Sequence, residues 1–210
     1  IYSFMAAIDT GNYNGSEMYD SGNIVVDNYV ISDWNRKGWG KISYDTGFTY
    51  SSNVAAVKLA EKIGKDTLLD YYEKFGFGSK TGIELSNELR GKLDFFYKSE
   101  LASASYGQGI TTTPIQNIQA LTSISNKGIV LKPYIVKKIV DPNTGKTIYE
   151  GKRNELGRAV SENTVNKMIE LMDLTVNGDD SVATGKKYHT KQVRLIWKTG
   201  TAQYTNSNGK

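Results

Sequence analysis

The chain has 210 residues, of which 39% are hydrophobic and 23% charged, the balance of an ordinary folded chain rather than a disordered or membrane-embedded one. It has no cysteine and a single histidine, His189, which excludes disulfides, thiolate nucleophiles and multi-imidazole metal sites. A net charge of +4 from 26 basic and 22 acidic residues is too small and too evenly spread to indicate nucleic acid.

In chain order, Ile1 to Asp9 reads as the tail of a buried helix, with Ile1, Phe4, Met5 and Ile8 apolar and Thr10-Gly11 as the stop. The opening carries neither Met nor a signal-peptide pattern, and the polar end from Thr205 to Lys210 resembles an interrupted loop, so the sequence reads as a piece of something longer. Residues 11–47 are rich in Gly, Asn, Asp and Tyr, with one alternating run from Ile24 to Ile31 that suits a short hairpin. Ser51 or Ser52 can cap a helix that carries Val54, Val57, Ala60 and Ile63 on one face and stops at Gly64. A second helix follows over Asp66 to Phe75, ended by Gly76. Thr113, with Pro114 at the first helical position, opens a third that runs through Ile124 towards Gly128. Tyr134 to Val140 and Lys146 to Tyr149 flank Asp-Pro-Asn-Thr-Gly and read as a hairpin. Ser161 caps an amphipathic helix closed near Gly178, and Val193 to Trp197 reads as a short strand running into Lys198-Thr199-Gly200-Thr201. There is no internal repeat and no Pro-rich linker.

Two short motifs carry chemistry: Ser51-Ser52-Asn53 at a helix start and Lys198-Thr199-Gly200-Thr201 at a strand end. Singly, each is more often a helix cap or a solvated turn. In this order they are the second and third elements of the Ser-x-x-Lys, Ser-x-Asn, Lys-Thr-Gly set of penicillin-binding proteins and serine β-lactamases. The segment from Ser99 to Val140, with Ser-Tyr-Gly-Gln-Gly-Ile-Thr-Thr-Thr-Pro-Ile-Gln and Asn126-Lys127-Gly128, resembles the transpeptidase domain of class B penicillin-binding proteins. So do Thr81-Gly82-Ile83-Glu84-Leu85 and the ending Lys198-Thr199-Gly200-Thr201-Ala202-Gln203, and the resemblance covers essentially the whole chain. Ile31-Ser32-Asp33-Trp34-Asn35 resembles the loop that, in the cell-division branch, places a Trp beside the cleft.

The resemblance implies an α/β (α+β) penicillin-recognising fold: a central antiparallel sheet with helices on both faces plus an all-helical lobe. Residues 1–190 would then hold mainly the helical lobe and loops, and 191–210 one core strand with the start of the following loop. It implies a D,D-transpeptidase that cross-links peptidoglycan stem peptides through a serine acyl-enzyme and is inhibited by β-lactams. No Ser-x-x-Lys with the right context occurs before Ser51, so the nucleophile and its lysine base are expected immediately upstream of Ile1. By resemblance Ser51 relays a proton to the leaving amine, Asn53 binds the substrate carbonyl, and Lys198 and Thr199 meet the substrate carboxylate. Thr201 supplies a carboxylate contact and an oxyanion N–H, Gly200 leaves room for an extended peptide, and Trp34 and Gln203 are further substrate contacts. No metal or cofactor is implied. The implied partners are stem peptide, β-lactams and a cell-wall glycosyltransferase, and the implied location is the extracytoplasmic face of the bacterial membrane, anchored by a helix outside this segment.

Two other readings use the same motifs. A serine β-lactamase needs a water-activating carboxylate downstream of Ser-x-Asn, where Glu84 and Glu88 fall, although their surroundings read as a transpeptidase loop. A non-catalytic sensor would keep the fold without the chemistry. Tyr106, Gln108 and Thr111 read as turn residues set by Gly107 and Gly109, and His189 with Lys186, Lys187, Lys191 and Arg194 as a solvated basic face.

Overall fold

The computed structural model describes residues 1–179 and 183–200. These form two compact units with interleaved sequence. The first comprises residues 1–68, 95–109 and those from 166 onward, and the second residues 69–94 and 110–165. The chain order is α1 (Tyr2–Asp9), β1 (Met18–Asp20), β2 (Asn23–Val26), β3 (Tyr29–Ser32), β4 (Lys41–Ser43), α2 (Tyr44–Thr49), α3 (Asn53–Ile63), α4 (Lys65–Lys74), α5 (Lys98–Ser105), α6 (Pro114–Ser125), β5 (Ile129–Leu131), β6 (Lys138–Val140), β7 (Thr147–Glu150), β8 (Glu155–Arg158) and α7 (Glu162–Asn177). Among the described residues no helix is long and apolar enough to cross a membrane.

In the first unit α3 is the central post. Val54, Ala55, Val57, Leu59 and Ala60 are fully buried because apolar residues recur every three to four positions over its eleven residues. It packs against α1 and α5, and Phe4 of α1 meets Phe48 of α2 edge to face, with ring centroids 5.1 Å apart. The β2–β3 hairpin pairs Asn23 with Ser32 and Val26 with Tyr29. Its two turn residues, Asp27 and Asn28, have φ of 47° and 66°, the left-handed pair that a two-residue turn needs to match strand twist. The hairpin's inner residues Val26 and Ile31 cluster with Val57 and Ala102, so β3 is fastened to α3 through its side chains. β1 pairs with β4, from Met18 opposite Ser43 to Asp20 opposite Lys41.

The second unit is organised by α6. Thr113 and Gln116 cap it reciprocally, Gln116 N bonding the Thr113 hydroxyl at 3.3 Å and Thr113 N the Gln116 Oε1 at 2.8 Å. The fully buried Gln116 side chain also donates to the carbonyls of Ser79, at 2.7 Å, and Arg90, at 2.8 Å. This polar side chain therefore belongs in the core, since it satisfies two loop carbonyls that no strand reaches. β5 pairs with β8 and β6 with β7, both antiparallel.

Val193–Trp197 does not form the expected strand. Residues 193–200 carry neither helix nor strand, and all described sheets are two-stranded. A strand exists only as part of a ladder, and among the described residues this segment is held otherwise: Trp197 N donates to the Met172 carbonyl at 3.3 Å and the Asn177 amide to the Leu195 carbonyl at 3.1 Å. Stacking of Tyr188 on Trp197, with centroids 4.3 Å apart, pins the same stretch.

Candidate active site

The local sequence decides between the two serines that precede α3. Ser52 is the N-cap, extended at φ −67° and ψ 120°, with its hydroxyl accepting from Ala55 N. Ser51, one residue earlier, adopts φ 60°, a left-handed conformation that is uncommon for a residue with a β-carbon and costs of order 1 kcal/mol. Ser51 Oγ accepts a hydrogen bond from the Lys198 ammonium. Strain at Ser51 thus coincides with a contact between residues 147 positions apart in the chain.

Asp33 is what holds this corner. It is 1% exposed and its carboxylate takes three hydrogen bonds: Gly22 N at 2.8 Å, the Ser52 hydroxyl at 2.8 Å and Val54 N at 3.1 Å. The α3 N-terminus receives a negative charge where its free N–H groups want one, and the end of β3 is tied to it. Asn53 adds a second tie by donating to the Ser32 carbonyl at 2.9 Å, which leaves its amide oxygen for another donor. Asp33→Ala strands three buried donors, so it is expected to lower unfolding free energy by roughly 3 kcal/mol or more, read as a fall in the urea midpoint. A loss below about 1 kcal/mol would show that Asp33 does not hold this corner.

Lys198 sits in an environment that is hostile to its charge. Burial lowers its pKa from the ordinary lysine value of 10.5 to about 8. Besides Ser51, its ammonium donates to the carbonyl and hydroxyl oxygens of Thr199, each at 3.2 Å. It lies 5.5 Å from the Phe48 ring centroid, a cation–π contact, but no carboxylate of the described residues pairs with it. The Thr199 hydroxyl is 3.5 Å from Ser51 Oγ. Lys198, Thr199 and Ser51 therefore form one cluster of hydroxyls around a partly desolvated cation. Its acceptors are neutral, and a bound carboxylate would complete it.

Trp34 is 57% exposed and its indole N–H donates to the carbonyl of Tyr50 at 2.8 Å, the residue before Ser51. Trp39 bridges the two rings, with centroids 6.0 Å from Trp34 and 4.8 Å from Tyr50. The structure thus places Trp34 on the approach to Ser51 and also explains its anchoring. Gly200 follows directly in the chain. Thr201 and Gln203 lie outside the described residues. Tyr106 packs against the Val26–Ile31–Val57–Ala102 cluster and takes no part in this site. Gly107 and Gly109 both have left-handed φ, 92° and 74°, consistent with turn geometry in that segment. Asp33, Phe48 and Tyr50 were not singled out from the sequence as site residues. An acid one residue before a loop Trp gives no local sign that it will reach a helix start 19 residues away.

The same arrangement of segments is found in known proteins. The profile of the family described as "Penicillin binding protein transpeptidase domain" matches residues 1–210. Stage V sporulation protein D of Bacillus subtilis is 34% identical over 195 residues, which cover 91% of this chain and 30% of that protein. Peptidoglycan D,D-transpeptidase MrdA of Acinetobacter baumannii is 28% identical over 84% of this chain and 27% of its own length. Penicillin binding protein 2X from Streptococcus thermophilus superposes with a TM-score of 0.90 at 29% identity, covering 99% of this chain and 32% of that one. The chain therefore spans about a third of the length of these three relatives. With a profile match along all 210 residues and a mixed helix-and-strand fold shared with solved members, the chain belongs to the penicillin binding protein transpeptidase domain family.

Proposed function

We propose that the protein to which this chain belongs is a serine D,D-transpeptidase that cross-links peptidoglycan stem peptides and is acylated by β-lactams at the same serine. The observation that carries this reading is the Lys198–Ser51–Thr199 cluster: a buried cation without a carboxylate partner, sharing a hydroxyl with a strained residue at a helix entrance. In this reading the nucleophilic serine and its lysine base lie upstream of Ile1. The serine oxygen forms a bond to the acyl carbon, the amide C–N bond breaks, and the departing amine takes up the proton. Ser51 accepts from Lys198 and keeps its own hydroxyl proton to pass on. Lys198 and Thr199 receive the substrate carboxylate, Asn53 its amide, Gly200 its backbone, and Trp34 its flank. Thr201 N–H would face the oxyanion and Gln203 the far end of the substrate.

The relatives' names support the class of activity, since MrdA is named a peptidoglycan D,D-transpeptidase. A Mycobacterium tuberculosis penicillin binding protein 3 with TM-score 0.87 has been solved with ampicillin. By the same family relationship the parent works at the extracytoplasmic face of the membrane, anchored by an upstream helix, beside a glycosyltransferase of the division or elongation machinery.

The β-lactamase reading gains nothing from its two candidate acids. Glu84 accepts from Ile135 N at 3.0 Å and the Tyr149 hydroxyl at 3.0 Å, and the Ile135 bond leads in holding its carboxyl below the usual range. Burial pushes Glu88 up, yet bonds from the Thr81 hydroxyl and from Thr81 and Gly82 N–H groups outweigh it and leave it lowered. Both carboxylates are ionised and engaged, Glu84 by residues 51 and 65 positions along the chain and Glu88 within its own loop. The test is a fluorescent penicillin on the parent protein. A label that persists for many minutes is expected, whereas rapid loss of label would make it a β-lactamase and no label at all a non-catalytic module.

A further inference from the structure

The second unit contains a cavity of about 360 Å³ that the acyl-transfer reading does not use. It is formed where the chain turns at Gly76 after α4, α6 presents Gln119, and β8 ends at Arg158. Its size lies at the small end of the range for specific small-molecule sites.

The wall is unusual at Gln119. This side chain is 2% exposed, and its terminal amide has no hydrogen-bond partner among the described residues. It is pressed against the chain, since a β-carbon on Gly76, itself at φ 94°, would lie 2.6 Å from its Oε1. One turn earlier Gln116 shows what a buried glutamine does when the protein satisfies it, with a donor and two carbonyls in place. Among the described residues only the Tyr19 hydroxyl and the Trp197 indole N–H are buried polar side-chain atoms without a partner, so the Gln119 amide is not sealed off but opens to the cavity that it lines. Gln119 is thus a polar group held ready at the wall of a cavity, offering one acceptor and two donors.

The rim supplies charge. Lys80 makes no close ion pair among the described residues, although its charge helps hold Glu88 of the same loop below the usual carboxylate range, and Arg158 spends one nitrogen on the carbonyls of Lys127 and Val160. Lys74 is matched to Asp70 at 2.6 Å. Glu73 is the one carboxylate on the lining, against Lys74, Lys80 and Arg158, so the rim is cationic on balance.

We propose that this cavity binds an anionic monosaccharide: a compact hydroxyl-bearing ring with one phosphate or carboxylate, the anion meeting Lys80 and Arg158 and a ring hydroxyl meeting the Gln119 amide. A phosphate alone would leave Gln119 unmatched, and a neutral sugar would leave the cations unmatched. The proposal is independent of the acyl-transfer site, and its readout is heat of binding rather than acylation.

The test is isothermal titration calorimetry on the parent protein at low salt with glucose 6-phosphate, glucuronate, glucose and inorganic phosphate. One or both anionic sugars are expected to saturate below about 10 mM, with glucose and inorganic phosphate at least about tenfold weaker. The stronger of the two anionic sugars identifies the anion. Lys80→Ala and the near-isosteric Gln119→Glu are each expected to weaken that binding about tenfold or more, with penicillin acylation unchanged. Lys80→Ala alone suffices should the glutamate variant fail to fold, because the Lys80 side chain lies at the rim and makes no hydrogen bond or close ion pair among the described residues. No saturable heat from either anionic sugar, equal binding by the lysine variant, or inorganic phosphate binding as tightly as the sugars would overturn the proposal.

Discussion

Lys198→Met in the parent protein is expected to slow acylation by penicillin about a thousandfold, the scale of losing a well-aimed electrostatic donor, while making the folded protein more stable at neutral pH. The two effects share one cause. Burial without a carboxylate partner brings the lysine down from 10.5 to about 8. The folded state therefore holds the proton less tightly than the unfolded state, and below pH 8 the charged lysine costs the fold roughly 3 kcal/mol. Methionine keeps the packing of the stem against Phe48 and removes that cost. The sign fixes the window: stability of the native protein climbs relative to the variant between pH 8 and 10.5, because there the unfolded chain binds more protons, and the two converge above it. Urea titrations across that range read the difference directly. Acylation gives an independent sign. A lysine that works as a cation loses its effect as pH rises through about 8, so the rate should fall there, whereas a rate that rises through the same pH would make Lys198 a base and overturn the carboxylate role. Equal losses of stability and acylation would make it a structural lysine instead.

The elements that were legible in the sequence are those whose signals are local. Ser52 to Gly64 announces α3 through a cap, a periodic face and a glycine stop. Thr113-Pro114 with Gln116 announces α6 by the reciprocal cap that the structure shows. The Ile24–Ile31 alternation became the β2–β3 hairpin. What was not legible depends on partners distant in sequence. β1 and β4 are joined across twenty residues that hold the β2–β3 hairpin, and three-residue strands carry too little alternation to betray a ladder. α5 is built on serine and alanine with a weak apolar face, and is set instead by Glu100 reaching back to the Phe96 and Tyr97 N–H groups. Val193–Trp197 failed as a strand for the converse reason: its composition suits a ladder, but no described residue pairs with it. The site follows the same rule. Motif order alone was enough to pair Ser51 with Lys198, but nothing near Asp33 indicates that its carboxylate braces the serine corner, and the choice between Ser51 and Ser52 is settled only by backbone geometry.

Gly200→Val separates a glycine needed by the fold from one needed by a ligand, and is expected to leave thermal unfolding within about 0.5 kcal/mol of the native protein while slowing acylation about a hundredfold. A β-carbon at Gly200 would meet no described atom within 4 Å, and its φ is not in the left-handed region, so neither crowding nor backbone strain demands glycine there. Gly47 is the contrast: a β-carbon would collide with the Tyr19 hydroxyl in the buried Tyr19–Tyr44 stack, and Gly47→Ala should destabilise the protein. Gly200 also makes no hydrogen bond among the described residues, and in the proposed reading its N–H and carbonyl pair with an extended peptide. Such pairing brings two backbones about 4.8 Å apart, and the branched side chain of valine obstructs that approach whenever it points to the incoming strand. Gly200→Ala should fall between the two. Thermal melts that drop for Gly200→Val as far as for Gly47→Ala would show that the glycine serves packing, and full acylation by the valine variant would show that substrate does not lie along residue 200.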